Sequence, residues 1–168
     1  MQEKIQKQRE FFRGGKPITL SFRKEALKRL GRTIRAHEEE IYEALRKDLN
    51  KSKTEAYMCE IGMTLAELSY MLKHIDGWAR KRNMLSPIAQ FSSDSFTIRE
   101  PYGVVLIMSP WNYPFMLTIE PLIGAIAAGN CCVVKPSAYA PATSAVICKI
   151  LRDCLLYTSP SPRDSTSS

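Results

Sequence analysis

The chain has no apolar run long enough to cross a membrane. Its most apolar stretch, Leu117–Ala128, falls short of the roughly 18–20 residues a span needs. It lacks the apolar segment of a secretory signal, because its start, MQEKIQKQRE, is charged. Its five cysteines (Cys59, Cys131, Cys132, Cys148, Cys154) are an odd number and show no metal-type CxxC spacing. Most lie in apolar surroundings and read as buried thiols in a reducing, cytoplasmic compartment. Histidine is scarce. His37 and His74 stand far apart in helical patterns and read as structural or solvated, so no metal site is expected. No internal repeat is visible.

What is present suits one domain with a real core: 168 residues, 45% of them apolar. The net charge of +7 is concentrated. Residues 1–53 hold 15 Lys/Arg against 8 Asp/Glu, and the rest of the chain holds 9 of each. Such a surface could attract nucleic acid or an acidic membrane. The basic residues are interleaved with Glu25, Glu38, Glu39, Glu40 and Glu43 and lack aromatic stacking partners, so a solvated helix face is the expectation and nucleic acid is not.

The chain is organised around residues 100–141. Val104 to Met108 is a short apolar run, the pattern of a strand buried on both faces. Ser109-Pro110-Trp111-Asn112-Tyr113-Pro114 breaks it. Leu117 to Ala128 is helix-length, and Gly129-Asn130 is a helix stop. Cys131 to Val134 is a second strand, ended by Lys135-Pro136-Ser137. Strand, helix and strand in this order make a parallel βαβ unit. Ligands bind at the carboxyl ends of such strands, which here carry Ser109–Asn112 and Lys135–Ser137.

Helices are expected over 2–13, from Ser21 as cap, from Glu38, and from a Ser52-x-x-Glu55 capping box to about Arg82. Residues 83–93 read as a loop, Ser95–Arg99 as a half-exposed strand and Ala142–Cys154 as a last helix. The organisation expected is a helical part over 1–93 and the start of a nucleotide-binding domain over 94–154. A disordered Ser/Pro tail over 155–168, read as non-native, completes it, with the native sequence stopping near Arg152–Cys154.

Pro-Trp-Asn-Tyr-Pro at 110–114, Gly-Ala-Ile-Ala-Ala-Gly-Asn at 124–130 and Lys-Pro-Ser at 135–137 resemble the aldehyde dehydrogenase superfamily. Glu-Pro-Tyr-Gly-Val-Val at 100–105, Asp48-Leu49-Asn50-Lys51 and Glu55-Ala56-Tyr57 agree with it. A start directly in helices is similar to the class 3 and fatty aldehyde dehydrogenase branch. The resemblance implies an α/β fold: N-terminal helices followed by the first βαβα part of a Rossmann-like parallel sheet, with an oligomerisation-arm strand at 94–100. It implies NAD or NADP as cofactor, an aldehyde substrate and a homodimeric parent.

By the same resemblance, Asn112 matches the oxyanion-hole asparagine. Its amide is a neutral donor, suited to charge developing on a carbonyl oxygen. Ser109, Trp111, Asn112, Lys135 and Ser137 match cofactor-cleft positions, with Lys135 on the adenosine ribose hydroxyls. Tyr57, Tyr113 and Leu117 match positions lining the aldehyde tunnel. Ala138 stands where many members have a glutamate that disfavours a 2′-phosphate, so tolerance of NADP is expected. The family's cysteine nucleophile, its glutamate base and its Gly-Ser-x-x-x-Gly phosphate turn have no counterpart in the sequence. Cys131, Cys132 and Cys148 lie in apolar runs, where burial keeps a thiol inert. A fragment inactive by itself, and marginal as a folded object because of its open strand edges, is therefore expected. The alternatives are a basic helical nucleic-acid-binding module and a structural partner protein.

Overall fold

The computed structural model describes residues 2–155. Helix α1 (Gln2–Arg13) ends at Gly14-Gly15, and one 3₁₀ turn (Lys16–Ile18) leads into α2 (Leu20–Ala36). In α2 the buried positions Arg23, Ala26, Leu27, Leu30, Gly31 and Ile34 fall at helical spacing. The helix starts one residue before the expected cap, Ser21, because Arg23 N–H already reaches Thr19 O at 3.2 Å. α3 (Glu38–Leu49) opens on three glutamates, which suit the positive end of its dipole. It closes on Asn50 in the left-handed region (φ 54°).

The capping box is present: Glu55 N–H donates to Ser52 Oγ at 3.2 Å. From it α4 (Lys53–Ala56) runs through a π turn (Tyr57–Ile61) into α5 (Gly62–Trp78). The helix stops short of Arg82 because the chain there turns into a strand. β1 (Arg82–Met84) pairs antiparallel with β2 (Ser95–Thr97), so part of the expected loop is one side of a hairpin. Ser86 Oγ bonds Ser93 O and Ser95 within that hairpin.

β3 (Val104–Met108) and β4 (Cys131–Lys135) are parallel, paired from Val104 with Cys131 to Met108 with Lys135. α6 (Met116–Ala128) connects them, and α7 (Pro141–Leu155) follows. The expectation of strands buried on both faces is corrected. Ile107 is buried, with Cys132 and Val134 packed on the core, but Leu106 is 59% and Met108 69% exposed. With two strands in the sheet, α6 packs against Ile107, Cys132 and Val134, and Leu106 and Met108 are left uncovered. One cluster joins Leu27, Leu30, Ile34, Ile41 and Leu45 of the first helices to Ile119, Ile123, Ile147 and Ile150 of α6 and α7. The tail expected from 155 onward lies, from residue 156, outside the described residues.

Candidate functional site at the strand ends

α6 has no cap of its own. The residue before it is Phe115, whose side chain accepts nothing, and its first turn carries no acid. The first N–H groups of a helix still need partners. Glu60, on the π turn, supplies them: its Oε2 accepts Phe115 N–H at 2.8 Å and Met116 N–H at 3.2 Å. Its Oε1 accepts Lys51 Nζ at 2.5 Å, and the same ammonium donates to Asn112 O at 3.2 Å. It also sits 4.1 Å from the centre of the Tyr113 ring. Lys51 is 8% exposed and Glu60 not at all, so the charges are compensated by each other and by backbone.

The same turn is tied on its other side. Thr118 Oγ1 donates to Pro114 O at 2.5 Å and lies 2.6 Å from Ser109 Oγ, whose proton it accepts. Ser109 N–H reaches Lys135 O at 3.3 Å, which carries the strand ladder one step past Met108. At its far end α6 closes on Gly129 (φ 88°), with Gly129 N–H to Ile126 O and Asn130 N–H to Ala125 O, both 2.9 Å. Arg23 takes the next orphan carbonyl, Ala127 O, at 3.2 Å, together with Pro17 O at 3.1 Å and Ile18 O at 2.6 Å. Burial lowers the Arg23 pKa from its ordinary value. A carboxylate at the start of α6 and a guanidinium at its end both match the helix dipole.

The end of β4 is built differently. Ser137 is buried, and its Oγ accepts Tyr139 N–H at 3.2 Å while its carbonyl accepts Ser144 Oγ at 2.7 Å. Asp48, from the end of α3, caps α7 through Ala142 N–H at 3.1 Å and Thr143 N–H at 2.7 Å.

A strand–turn–helix–strand unit whose two carboxyl ends carry exposed Trp111, Asn112 and Lys135 now has its geometry in place. The model of the aldehyde dehydrogenase family matches residues 1–158. This chain belongs to the aldehyde dehydrogenase family. It is 42% identical over 153 residues to the 4,4'-diaponeurosporen-aldehyde dehydrogenase of Staphylococcus aureus (strain NCTC 8325 / PS 47), covering 91% of this chain and 33% of that protein. It is 39% identical over 150 residues to aldehyde dehydrogenase family 3 member B1 of Mus musculus, covering 89% and 32%. Among solved structures, the substrate-bound state of Staphylococcus aureus AldH matches with TM-score 0.91 and 41% identity over 94% of this chain and 34% of that one. The glyceraldehyde-3-phosphate dehydrogenase GapN of Methanocaldococcus jannaschii DSM 2661, complexed with NADP, matches with TM-score 0.80 and 25% identity over 96% and 34%. The chain thus spans about a third of the relatives it matches.

In this aldehyde dehydrogenase chain the parallel pairing brings Ser109 beside Lys135, with Trp111 and Asn112 in the turn just beyond. The side chains of Asn112 and Lys135 are exposed and engage no partner among the described residues. Tyr113 is 38% exposed beside Lys51, and Leu117 is half-buried at the start of α6. Tyr57 is 46% exposed and lies on the π turn that also carries Glu60. A free ammonium and a free amide at adjacent strand ends are donors suited to hydroxyl and carbonyl oxygens.

The thiols divide. Burial pushes Cys132 up to about 12, with Cys131 adding to it, and Cys154 up to about 12. Cys131 is also raised by burial. Cys148, expected to be buried, is exposed on α7, and Cys59 is half-buried. Among the described residues no cluster of His, Cys, Asp or Glu could hold a metal, and no helix is long and apolar enough to cross a membrane.

Sequence reasoning gave no role to Arg23, Asp48, Lys51 or Glu60, although Asp48 and Lys51 stand in a stretch that agrees with the family resemblance. The first and last carried a signal, because each stands on an otherwise apolar helical stripe: Arg23 with Ala26, Leu27 and Leu30, Glu60 with Ala56, Ile61 and Leu65. A separate groove of about 490 Å³ lies at the far end of α6, between Arg23, Met71, Trp78, Ile98 and Ala127. It is remote from the strand ends.

Proposed function

We propose that this chain forms part of an enzyme that oxidises an aldehyde to a carboxylic acid with NAD or NADP. The observation that carries the reading is the pair of unengaged polar side chains, Asn112 and Lys135, on adjacent strand ends of a family-specific fold. The bound nicotinamide cofactor supplies the hydride acceptor. Lys135 donates to the ribose hydroxyls, with Ser137 fixing the turn behind it, and Ser109 and Trp111 line the cleft. Asn112 donates its amide to the aldehyde oxygen as negative charge grows there, an interaction strongest in the transition state. Tyr57, Tyr113 and Leu117 border the approach of the aldehyde. Exposed Ala138 puts no carboxylate beside a 2′-phosphate, which supports use of NADP as well as NAD.

The chain by itself does not turn over aldehyde. The Gly-Gln-x-Cys and Glu-Leu-Gly-Gly segments are absent from its sequence, and three of its thiols are held protonated by burial. Two observations support a reading in which the parent is a homodimer joined through the arm. The hairpin of β1 and β2 pairs with itself, and its loop exposes Leu85, Ile88 and Phe91 at 99%, 94% and 91%. Two observations favour the enzyme over a nucleic-acid module. Arg23 and Lys51 are buried and spent on carbonyls and Glu60. Lys24 and Arg32 pair with Asp76 and Glu25.

The test joins residues 1–153 to the carboxyl-terminal two thirds of the Staphylococcus aureus relative and follows aldehyde-dependent reduction of NAD and NADP. The joined enzyme turns over and residues 1–168 alone do not. Asn112→Ala lowers kcat on the order of 10²–10³-fold, and Lys135→Ala raises the cofactor KM. Undiminished kcat in Asn112→Ala would overturn the assignment of that residue.

A further inference from the structure

We infer that Glu60 and Lys51 are positioning residues for Asn112, an inference that rests on the oxyanion role proposed above. An exposed side chain without a partner is aimed only by its backbone. Here that backbone is gripped at two points by one ion pair. Lys51 Nζ holds the carbonyl of Asn112 itself at 3.2 Å, and Glu60 Oε2 holds the N–H groups of Phe115 and Met116 at 2.8 and 3.2 Å. Glu60 Oε1 and Lys51 Nζ, 2.5 Å apart, fasten the two grips together. Tyr113, between them, lies under the ammonium at 4.1 Å.

Capping alone does not account for this arrangement. A neutral acceptor would cap the same two N–H groups through weaker bonds, and burying a charged pair in its place costs desolvation that its own attraction barely repays. What the pair adds is the link from the helix start to the carbonyl of residue 112. A neutral amide stabilises a developing oxyanion well only when it is already oriented and has no reorganisation left to undergo. Glu60 is itself located by the π turn, a form found often at functional sites. Gly62 N–H closes that turn on Tyr57 O, and a Cβ at position 62 would stand 2.8 Å from the same oxygen.

The experiment uses the full chain, ¹⁵N-labelled, and compares Glu60→Gln and Lys51→Met with the parent by amide hydrogen exchange and by the side-chain NH₂ signal of Asn112. In both variants the Phe115 and Met116 amides are expected to exchange about tenfold faster or more, with amides of α2 and α7 unchanged. The Asn112 NH₂ signal shifts or broadens. Lys51→Arg, which keeps the charge, preserves the protection of Phe115 and Met116. A uniform loss of protection across the chain, or an Asn112 signal that does not move, overturns the inference. Should Glu60→Gln not fold, Lys51→Met decides. If neither folds, Lys51→Arg does, through an Asn112 shift confined to residues 112–116 or its absence. The two readings fail separately. If Asn112 takes no part in the chemistry, the joined enzyme keeps its kcat in Asn112→Ala while the exchange result stands. If the pair does not position the turn, the exchange result fails while that kcat still drops.

Discussion

After β3 the chain makes a turn holding Pro110 and Pro114, and two charged side chains from the helical layer grip it. After β4 it makes a turn that bonds itself, through Ser137 Oγ and Ser137 O, with the helix behind it capped by half-exposed Asp48. Proline has no N–H, and the Phe115 side chain has no acceptor, so the first turn has no side chain of its own to cap the N–H groups of Phe115 and Met116. The second has a serine at the right place. The contrast sets the energetics. Losing a buried ionic partner strands a charge in the core, whereas losing one hydroxyl from a self-bonded turn removes a single modest bond.

Breaking the first turn is therefore expected to cost most. Glu60→Ala should lower stability by about 3–5 kcal/mol in urea unfolding, more than the roughly 1.5–3 kcal/mol carried by one buried leucine or isoleucine side chain. A loss under 1 kcal/mol would erase the contrast. Next comes the far end of α6. Gly129→Ala forces a side chain into φ 88° with its Cβ 2.8 Å from the Arg23 guanidinium. The backbone strain alone is about 1–2 kcal/mol. Gly15, at φ 74° with open space around it, is the control that separates strain from displacement of Arg23.

Asp48→Ala should cost about 1–2 kcal/mol, the worth of a helix cap, with the loss confined to α7 in hydrogen exchange. Ser137→Ala should cost about 0.5–1.5 kcal/mol; a cost matching that of Glu60→Ala would show that the second turn is as dependent as the first. The smallest effect belongs to Glu40, on the exposed seam between α3 and α7. Its hydrogen bonds from Lys149 and then His37 hold its pKa below the ordinary 4.5. A depressed carboxylate contributes stability above its unfolded pKa and loses it as pH falls through the folded value. Acid unfolding followed below about pH 4.5 should start at higher pH in Glu40→Gln, whose contribution is already absent.

Much of the βαβα unit was legible. Val104–Met108 and Cys131–Val134 are short apolar runs bounded by breakers, and Gly129-Asn130 is a helix stop. The half-buried state of the sheet was not, because a run such as Val-Val-Leu-Ile-Met reads the same whether one face or two are covered. The hairpin partner at Arg82–Met84 was hidden because it is short, polar and adjacent to a helix. For the candidate site, local motifs singled out Asn112 and Lys135. They could not show that Lys51 meets the Asn112 carbonyl or that Glu60 meets the Phe115 N–H, since those contacts join residues 61 and 55 positions apart.

Arg23, Asp48 and Glu60 all precede in sequence the helices whose ends they satisfy. During synthesis the charged clasps therefore leave the ribosome before α6 and α7 exist. The side chains that close each later helix are synthesised before the helix they close, so the order of the message puts every clasp ahead of what it holds.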